Sequence, residues 1–445
     1  MQEGGSSEPR RFEVTNRLVL AIALPMMVAY MTTPMIGIVN TAVIGRLGDP
    51  AMLGGLAAGA VLFDLVFSTF NFLRTGTTGL VAQAYGRGDP QEEQAVFWRA
   101  LIVAVCAGIL LAVASQLIAW AGRLFMDAEP AVSDAMSTYV TIRLLAAPLS
   151  LSNYVILGYL LGRGQASLGL VLQLIINVLN MVLSVSLGLW MGWGIAGVAW
   201  ATVCAEASAA IIGLCILILR FRRLPPLAQG ALRNVASLKV MFALNRDIMI
   251  RSFVLLGAFA ILARQGAQLG TLTLAANAVL MNFFLLSGYF LDGFAAAAEQ
   301  LAGRAIGARY RHAFDRAVRL TAVWGFSVAG GVTLFFLWRG DLLIDLMTTS
   351  PEVRELALAY LPWAAFTSVT GVLAFQMDGV FMGATWSSDL RNMMVASFAV
   401  FIAALWLLIP AFGNVGLWSA LHIFLLTRGF SLLSRLPARA RTTFA

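Results

Sequence analysis

The sequence predicts an all-α integral membrane protein of twelve transmembrane helices in two pseudo-symmetric six-helix bundles, and three observations carry that prediction. The 445 residues are 60% hydrophobic and only 12% charged, with a mean hydropathy of +0.84; a soluble domain carries roughly 25% charged residues. The apolar runs are long and unbroken, as suits helices that satisfy their own backbone, and lack the weak alternation of a membrane barrel. The basic residues are also lopsided. If odd-numbered connections face outward, 23 of the 30 Lys and Arg fall on one side, and only Arg46, Arg123, Arg339 and Arg354 on the other. That bias places both termini and the long central connection in the cytoplasm. It also accounts for the net charge of +8 without nucleic acid as a partner.

The twelve spans read as 18–45, 54–82, 97–120, 136–161, 167–191, 194–218, 247–268, 272–302, 315–338, 355–383, 392–411 and 414–433. Each meets the requirement of about 20 apolar residues per crossing. The first, Leu18 to Gly45, has no charged side chain and carries Pro25, Pro34 and Asn40. Each proline removes a backbone donor and crowds the preceding turn, which predicts a bend and makes Pro25 a candidate hinge. Residues 220–245 hold Arg220, Arg222, Arg223 and Pro225-Pro226, then a mixed segment with Lys239. This is the longest polar connection and reads as a linker. The expected organisation is a tail over 1–17, a first lobe over 18–219, the linker over 220–245, a second lobe over 246–433 and a tail over 434–445. Residues 1–15 are polar and precede a span too long for a signal-peptide core, so no cleaved signal is read.

An internal repeat supports the division. Met126 and Met347, Pro130 and Pro351, Tyr139 and Tyr360, Gly158 and Gly379, and Gly162 and Gly383 share an offset of 221. Upstream the offset is 218, matching Ala57, Ala58 and Ala60 to Ala275, Ala276 and Ala278. Such an ordered series over six helices makes the repeat parallel, and halves of this kind enclose a central site and rock against one another.

Ionisable groups inside spans mark a pathway, a proton relay or a structural pair. Here they are Asp64, Arg74, Arg143, Glu206, Arg264, Asp292, Glu299 and Asp378. Arg74 and Asp292 are repeat-equivalent at the 218 offset, which fits a structural ion pair as well as a binding role. Asp378 has no basic residue nearby in sequence, and an embedded carboxylate needs water, a partner or a proton. Asn177, Asn180 and Ser184 share one helix face, as interhelical glue or a polar lining. Asn282 and Tyr289 accompany Asp292 in the second half. Cys106, Cys204 and Cys215 read as small buried hydrophobes. Two His and three Cys give no metal cluster, nothing argues for catalysis or a cofactor, and no nucleotide-binding domain supplies ATP, so an ion gradient is the remaining energy source.

The segments Ala23-Leu24-Pro25, Asn40-Thr41-Ala42-Val43-Ile44-Gly45-Arg46, Phe72-Leu73-Arg74-Thr75-Gly76, Gln83-Ala84-Tyr85-Gly86, Leu244-Asn245-Arg246-Asp247 and Leu291-Asp292-Gly293, with Met377-Asp378-Gly379, together resemble the multidrug and toxic compound extrusion (MATE) family in its DinF (DNA-damage-inducible F) branch. The resemblance implies a monomeric, multi-pass inner (plasma) membrane transporter. It implies export of cationic or amphipathic small molecules in exchange for protons or sodium. In that family an aspartate usually stands at the position of Asn40, and many relatives have another at Ser184. Either coupling has moved, to Asp292 or Asp378, or this is a coupling-impaired, engineered Asn40 variant of an aspartate parent.

The expected site is therefore Asn40, Asp64, Asn177, Asn180 and Ser184 in the first lobe, and Asn282, Tyr289, Asp292 and Asp378 in the second. Pro25 is the hinge and Arg74 a structural charge. One rival is a lipid-intermediate flippase of the same superfamily, with a strongly cationic cavity. Another is a non-transporting membrane scaffold or receptor, whose embedded charges are all paired.

Overall fold

The computed structural model describes residues 12–228 and 230–445, and among these the chain is helical nearly throughout, with no strand. In order the helices are α1 (Asn16–Gly45), α2 (Pro50–Ser68), α3 (Phe72–Arg87), α4 (Pro90–Val113), α5 (Ser115–Met126), α6 (Pro130–Leu145) and α7 (Ala147–Gly162). Then come α8 (Ala166–Leu183), which continues as a π-helix over Ser184–Trp190, and α9 (Gly194–Phe221). The rest are α10 (Val235–Gln268), α11 (Thr271–Gly307), α12 (Arg311–Met347), α13 (Pro351–Gly383) and α14 (Ser387–Thr443).

Several starts are written in the same way. Asp49 accepts from the backbone N–H groups of Ala51 and Met52, Asp89 from that of Glu92, and Ser350 from that of Val353, each followed by proline at the first helical position. The cap satisfies donors the helix leaves open, and proline costs nothing where no donor is needed. This device starts the third pass at Pro90 rather than at residue 97. The polar first turn of α4 hid it from an apolar scan.

Among the described residues nine helical stretches are long and apolar enough to cross a membrane, or ten if α6 and α7, bent by 55°, form one pass. At 57 residues α14 is far too long for one crossing, since about 20 residues suffice. Gly413, at φ 55° and ψ −126°, breaks it into two passes in a conformation open only to glycine. The remaining pass is α10, whose Lys239, Arg246, Asp247, Arg251 and Arg264 lower its hydropathy. Twelve crossings result. α1 runs unbroken through Pro25 and Pro34; the hydroxyls of Thr32 and Thr33 bond the Ala29 carbonyl one turn before Pro34.

The chain divides into two compact units. Unit 1 comprises residues 12–27, 82–88 and 246–445, and unit 2 comprises Val28–Val81 and Asp89–Asn245. The division falls within α1, two residues after Pro25, and within α3. Unit 2 has a core in which Phe97, Tyr159 and Phe221 meet edge to face at 5.4–5.5 Å. Unit 1 has a separate core around Phe283, Phe336, Phe401 and Phe424. Helix α10 starts within the segment read as a linker, leaving 222–234 as the connection. That connection is fastened to α4. Arg99 donates to the Ala231 carbonyl from Nε (3.0 Å) and Nη2 (2.8 Å) while pairing with Glu92, and Gln94 donates to the Pro225 carbonyl at 3.1 Å.

The two units repeat one packing motif. Gly158 and Gly162 of α7 lie on the carbonyls of Arg74 and Thr78 of α3, while Gly379 and Gly383 of α13 lie on those of Ala295 and Glu299 of α11. All four pairs carry the offset of 221. This corrects the expectation that Arg74 and Asp292 are equivalent: by packing, Arg74 corresponds to Ala295, one helical turn further on. The cause is local. α11 is continuous and carries three more residues between the stretch matched at 218 and the stretch matched at 221, whereas the corresponding pass in unit 2 is broken between α2 and α3 by tight turns, Phe70 N–H to Phe67 O and Asn71 N–H to Ser68 O.

Cys106, Cys204 and Cys215 are exposed, not buried. The outer face of a membrane bundle meets lipid, so an apolar environment does not require burial in protein.

A Cβ at position 379 would overlap the Ala295 backbone, which cannot yield as a side chain can. Gly379→Ala should therefore lower stability by about 1–3 kcal/mol, read as a reduced melting temperature in detergent. A melting temperature equal to that of the unaltered protein would show that α11 and α13 do not depend on this close approach.

Candidate functional site

Unit 2 holds two polar groupings at membrane depth, one neutral and one charged. The neutral one lies on α1, α8 and α9. Asn180 Nδ2 donates to Thr202 Oγ1 at 2.6 Å, and Ser184 Oγ donates to Asn180 Oδ1 at 3.3 Å. One turn earlier Asn177 donates to Thr32 Oγ1 at 2.6 Å and accepts from Gln173 at 3.0 Å. Asn177, Asn180 and Ser184 are fully buried. The π-helix begins at Ser184, and the wider turns of such a segment recur at functional sites.

The contact of Thr32 with Asn177 and the close approach of Val43 to Gly188 span eleven residues on each helix. Helices α1 and α8 thus run side by side in one direction, and Asn40 stands level with Ser184. Asn40 is 5% exposed, and its Oδ1 has no hydrogen-bond partner among the described residues. The grouping therefore presents carboxamide and hydroxyl oxygens of Asn40, Asn180, Ser184 and Thr202, with no carboxylate among them. Thr202 escaped the sequence reading because one threonine in an apolar helix carries no pattern.

The charged grouping is built on Arg143 of α6. Its guanidinium lies 3.7 Å from the Phe63 ring centroid, donates to Tyr139 Oη at 2.8 Å and pairs with Glu206 of α9 at 3.3 Å. Ser150 Oγ donates to the other Glu206 oxygen, and Asn153 Nδ2 bonds the Glu206 backbone carbonyl at 2.9 Å. Asp64 of α2 follows Phe63 and is exposed on its helix, within charge reach of Arg143. Arg74 donates to Asn71 Oδ1 and to Tyr30 Oη, each at 3.3 Å.

In unit 1 the structure corrects the picture of Asp378 as an embedded carboxylate without a basic neighbour. Asp378 Oδ2 accepts from Arg428 Nη2 at 2.6 Å and from Arg251 Nη2, and all three side chains are buried. Both arginines fall inside the spans 247–268 and 414–433 and are among the 23 basic residues that the charge bias sets on the cytoplasmic side; the fold buries them instead. Asp292, half-buried on α11, interacts electrostatically with Arg428, and Tyr289 lies one turn before it. Asn282 is exposed and bonds back to the Ala278 and Val279 carbonyls of its own helix, so it reaches no other sequence-predicted residue. Among the described residues no group of three or more His, Cys, Asp or Glu could hold a metal.

Polar oxygens and ion pairs held among apolar, membrane-length helices mark a polytopic membrane protein. The MatE family model matches residues 25–186 and again residues 248–407, one match to each half of the repeat, and the chain belongs to that family of multidrug and toxic compound extrusion transporters. It is 38% identical over 419 residues to DNA damage-inducible protein F of Escherichia coli (strain K12), a match covering 92% of this chain and 90% of that relative. It is 24% identical to a probable multidrug resistance protein NorM of Chromobacterium violaceum, over 95% of this chain and 94% of the relative. A solved structure of a MOP superfamily transporter from Pyrococcus furiosus superimposes with a TM-score of 0.88 at 16% identity, covering 96% of each chain. That last likeness is one of fold.

Removing Asp378 strands two buried guanidinium groups, which cannot neutralise themselves. Asp378→Ala should cost about 3–5 kcal/mol of stability, measured by unfolding in detergent. Replacing Arg251 and Arg428 with Met in the same chain should recover most of the loss. A full loss that persists in the triple variant would show that the clasp is not what the carboxylate serves.

Proposed function

We propose that this protein is a secondary active antiporter of a bacterial inner membrane, with both termini cytoplasmic, that exports amphipathic organic cations by alternating access. What carries the reading is the set of polar and ionisable side chains kept at membrane depth, where polar groups are costly and mark a transport path. The relative named a probable multidrug resistance protein supports the substrate class. Tyr289 and Asp292 of α11 would meet the substrate's charge, and Pro25 would let α1 flex at the boundary of the two units.

The coupling ion needs separate argument. Sodium would meet only neutral oxygens at Asn40, Asn180, Ser184 and Thr202, and hard cations are held tightly where carboxylates contribute charge. A proton could not reside there at all, since neither a carboxamide nor a hydroxyl titrates in the working range. On this reading coupling is by protons and runs through a carboxylate elsewhere in the spans.

The test is drug-triggered proton movement in proteoliposomes, with and without sodium, comparing this chain with Asn40→Asp. The expected result is proton movement in both forms, independent of sodium in the Asn40 form. Movement in the aspartate form alone would mean that Asn40 disables coupling. Absence of proton movement and of sodium response in both forms, across a panel of amphipathic cations, would overturn ion-coupled export and turn attention to lipid transfer.

A further inference from the structure

The charged grouping of unit 2 contains two carboxylates that share one guanidinium, and they are held very differently. Glu206 is committed: one oxygen receives Arg143, the other receives Ser150, and its side chain is 15% exposed. Asp64 is exposed and has neither a hydrogen bond nor an ion pair among the described residues, although Arg143 lies within charge reach. An exposed carboxylate in the body of a membrane helix is costly against lipid and tolerable against water. Tyr154, partly exposed on α7, is within charge reach of Asp64, Glu206, Arg74 and Arg143 together, so Asp64 belongs to the same charged grouping.

Resting on the reading as a proton-coupled exporter, we propose that Asp64 is the carboxylate that takes up and releases the coupling proton, with Arg143 and Glu206 as its positioning residues. The groups within charge reach of it are Arg143 from α6 and Tyr154 from α7; through Arg143 they connect to Tyr139 of the same helix and Glu206 of α9, and through Tyr154 to Arg74 of α3. Uptake moves one proton from water to an Asp64 oxygen, forming an O–H bond and cancelling one negative charge. It breaks no existing hydrogen bond, which uptake at Glu206 would. With Asp64 neutral, Arg143 is left to Glu206, the arrangement seen here. When Asp64 releases the proton to water, the guanidinium is drawn by two carboxylates on different helices. It already lies over Phe63, the residue before Asp64, so a small shift transfers its pull from α9 to α2. The proton thereby sets which helix of unit 2 the arginine holds.

The experiment uses the full chain and tetraphenylphosphonium, a lipophilic cation with no titratable proton. Two readouts are taken: tetraphenylphosphonium-triggered proton movement in proteoliposomes, and the protonated-carboxyl infrared band of the purified protein across a pH titration. Asp64→Asn should lower proton movement at least tenfold and remove a titrating carboxyl band, while tetraphenylphosphonium still binds. Arg143→Lys should retain the band and displace its pH midpoint. Should Asp64→Asn fail to assemble, Asp64→Glu decides, because it should keep coupling with a displaced midpoint; an unchanged midpoint would overturn the proposal. Undiminished proton movement in Asp64→Asn would also overturn it and leave export standing. If the unaltered chain moves neither tetraphenylphosphonium nor protons, export fails, and the infrared band still decides whether Asp64 titrates.

Discussion

An arginine in hydrocarbon cannot surrender its charge, and much of this structure follows from that constraint. The guanidinium stays protonated at any physiological pH, so each embedded arginine needs anions and acceptors from its neighbours. Arg143 draws Glu206 from α9, Tyr139 from its own helix and the Phe63 face from α2. Arg251 and Arg428 close on Asp378 and so join α10, α13 and α14. Since lipid offers no alternative solvent for these groups, the pairs fix which helices lie together as well as neutralising charge.

The neutral oxygens follow a second logic. Asn180 and Ser184 are bonded to each other and to Thr202, so they glue α8 to α9 as any carboxamide in a bundle does. Within that grouping Asn40 differs, buried with an acceptor oxygen that has no partner among the described residues. A buried acceptor left open requires an explanation. A water or cation would fill that role, and it would find dipoles rather than charges.

The fold was largely legible because membrane helices announce themselves by length and apolarity, and because the 221-residue offset is carried by glycines that permit close helix contact. The polar side chains on α8 were equally legible, since their helical spacing puts them on one face. What the sequence hid is partnership. Asp378 and Arg251 are more than a hundred residues apart, and only the folded chain shows that α10, α13 and α14 bring three ionised groups together. Arg251 and Arg428 were misplaced for a related reason: a count of basic residues by side treats an arginine near a helix end as solvated, whereas these are buried. Glu206 was visible as an embedded acid but could not be ranked until Ser150 and Arg143 appeared around it.

The two halves share a packing motif, yet the repeat offset shifts by three residues within the pass that carries it, broken between α2 and α3 in one and continuous as α11 in the other. Duplication supplied two copies of the same component, and tight turns gave one of them a joint that the other lacks. A rod transmits a displacement along its whole length, while a jointed strut absorbs it at the joint. Unit 2 is jointed a few residues from Arg74 and Asp64, whereas its counterpart is rigid past Asp292. Symmetry in ancestry has thus become asymmetry in compliance, with the softer half carrying the exposed acid.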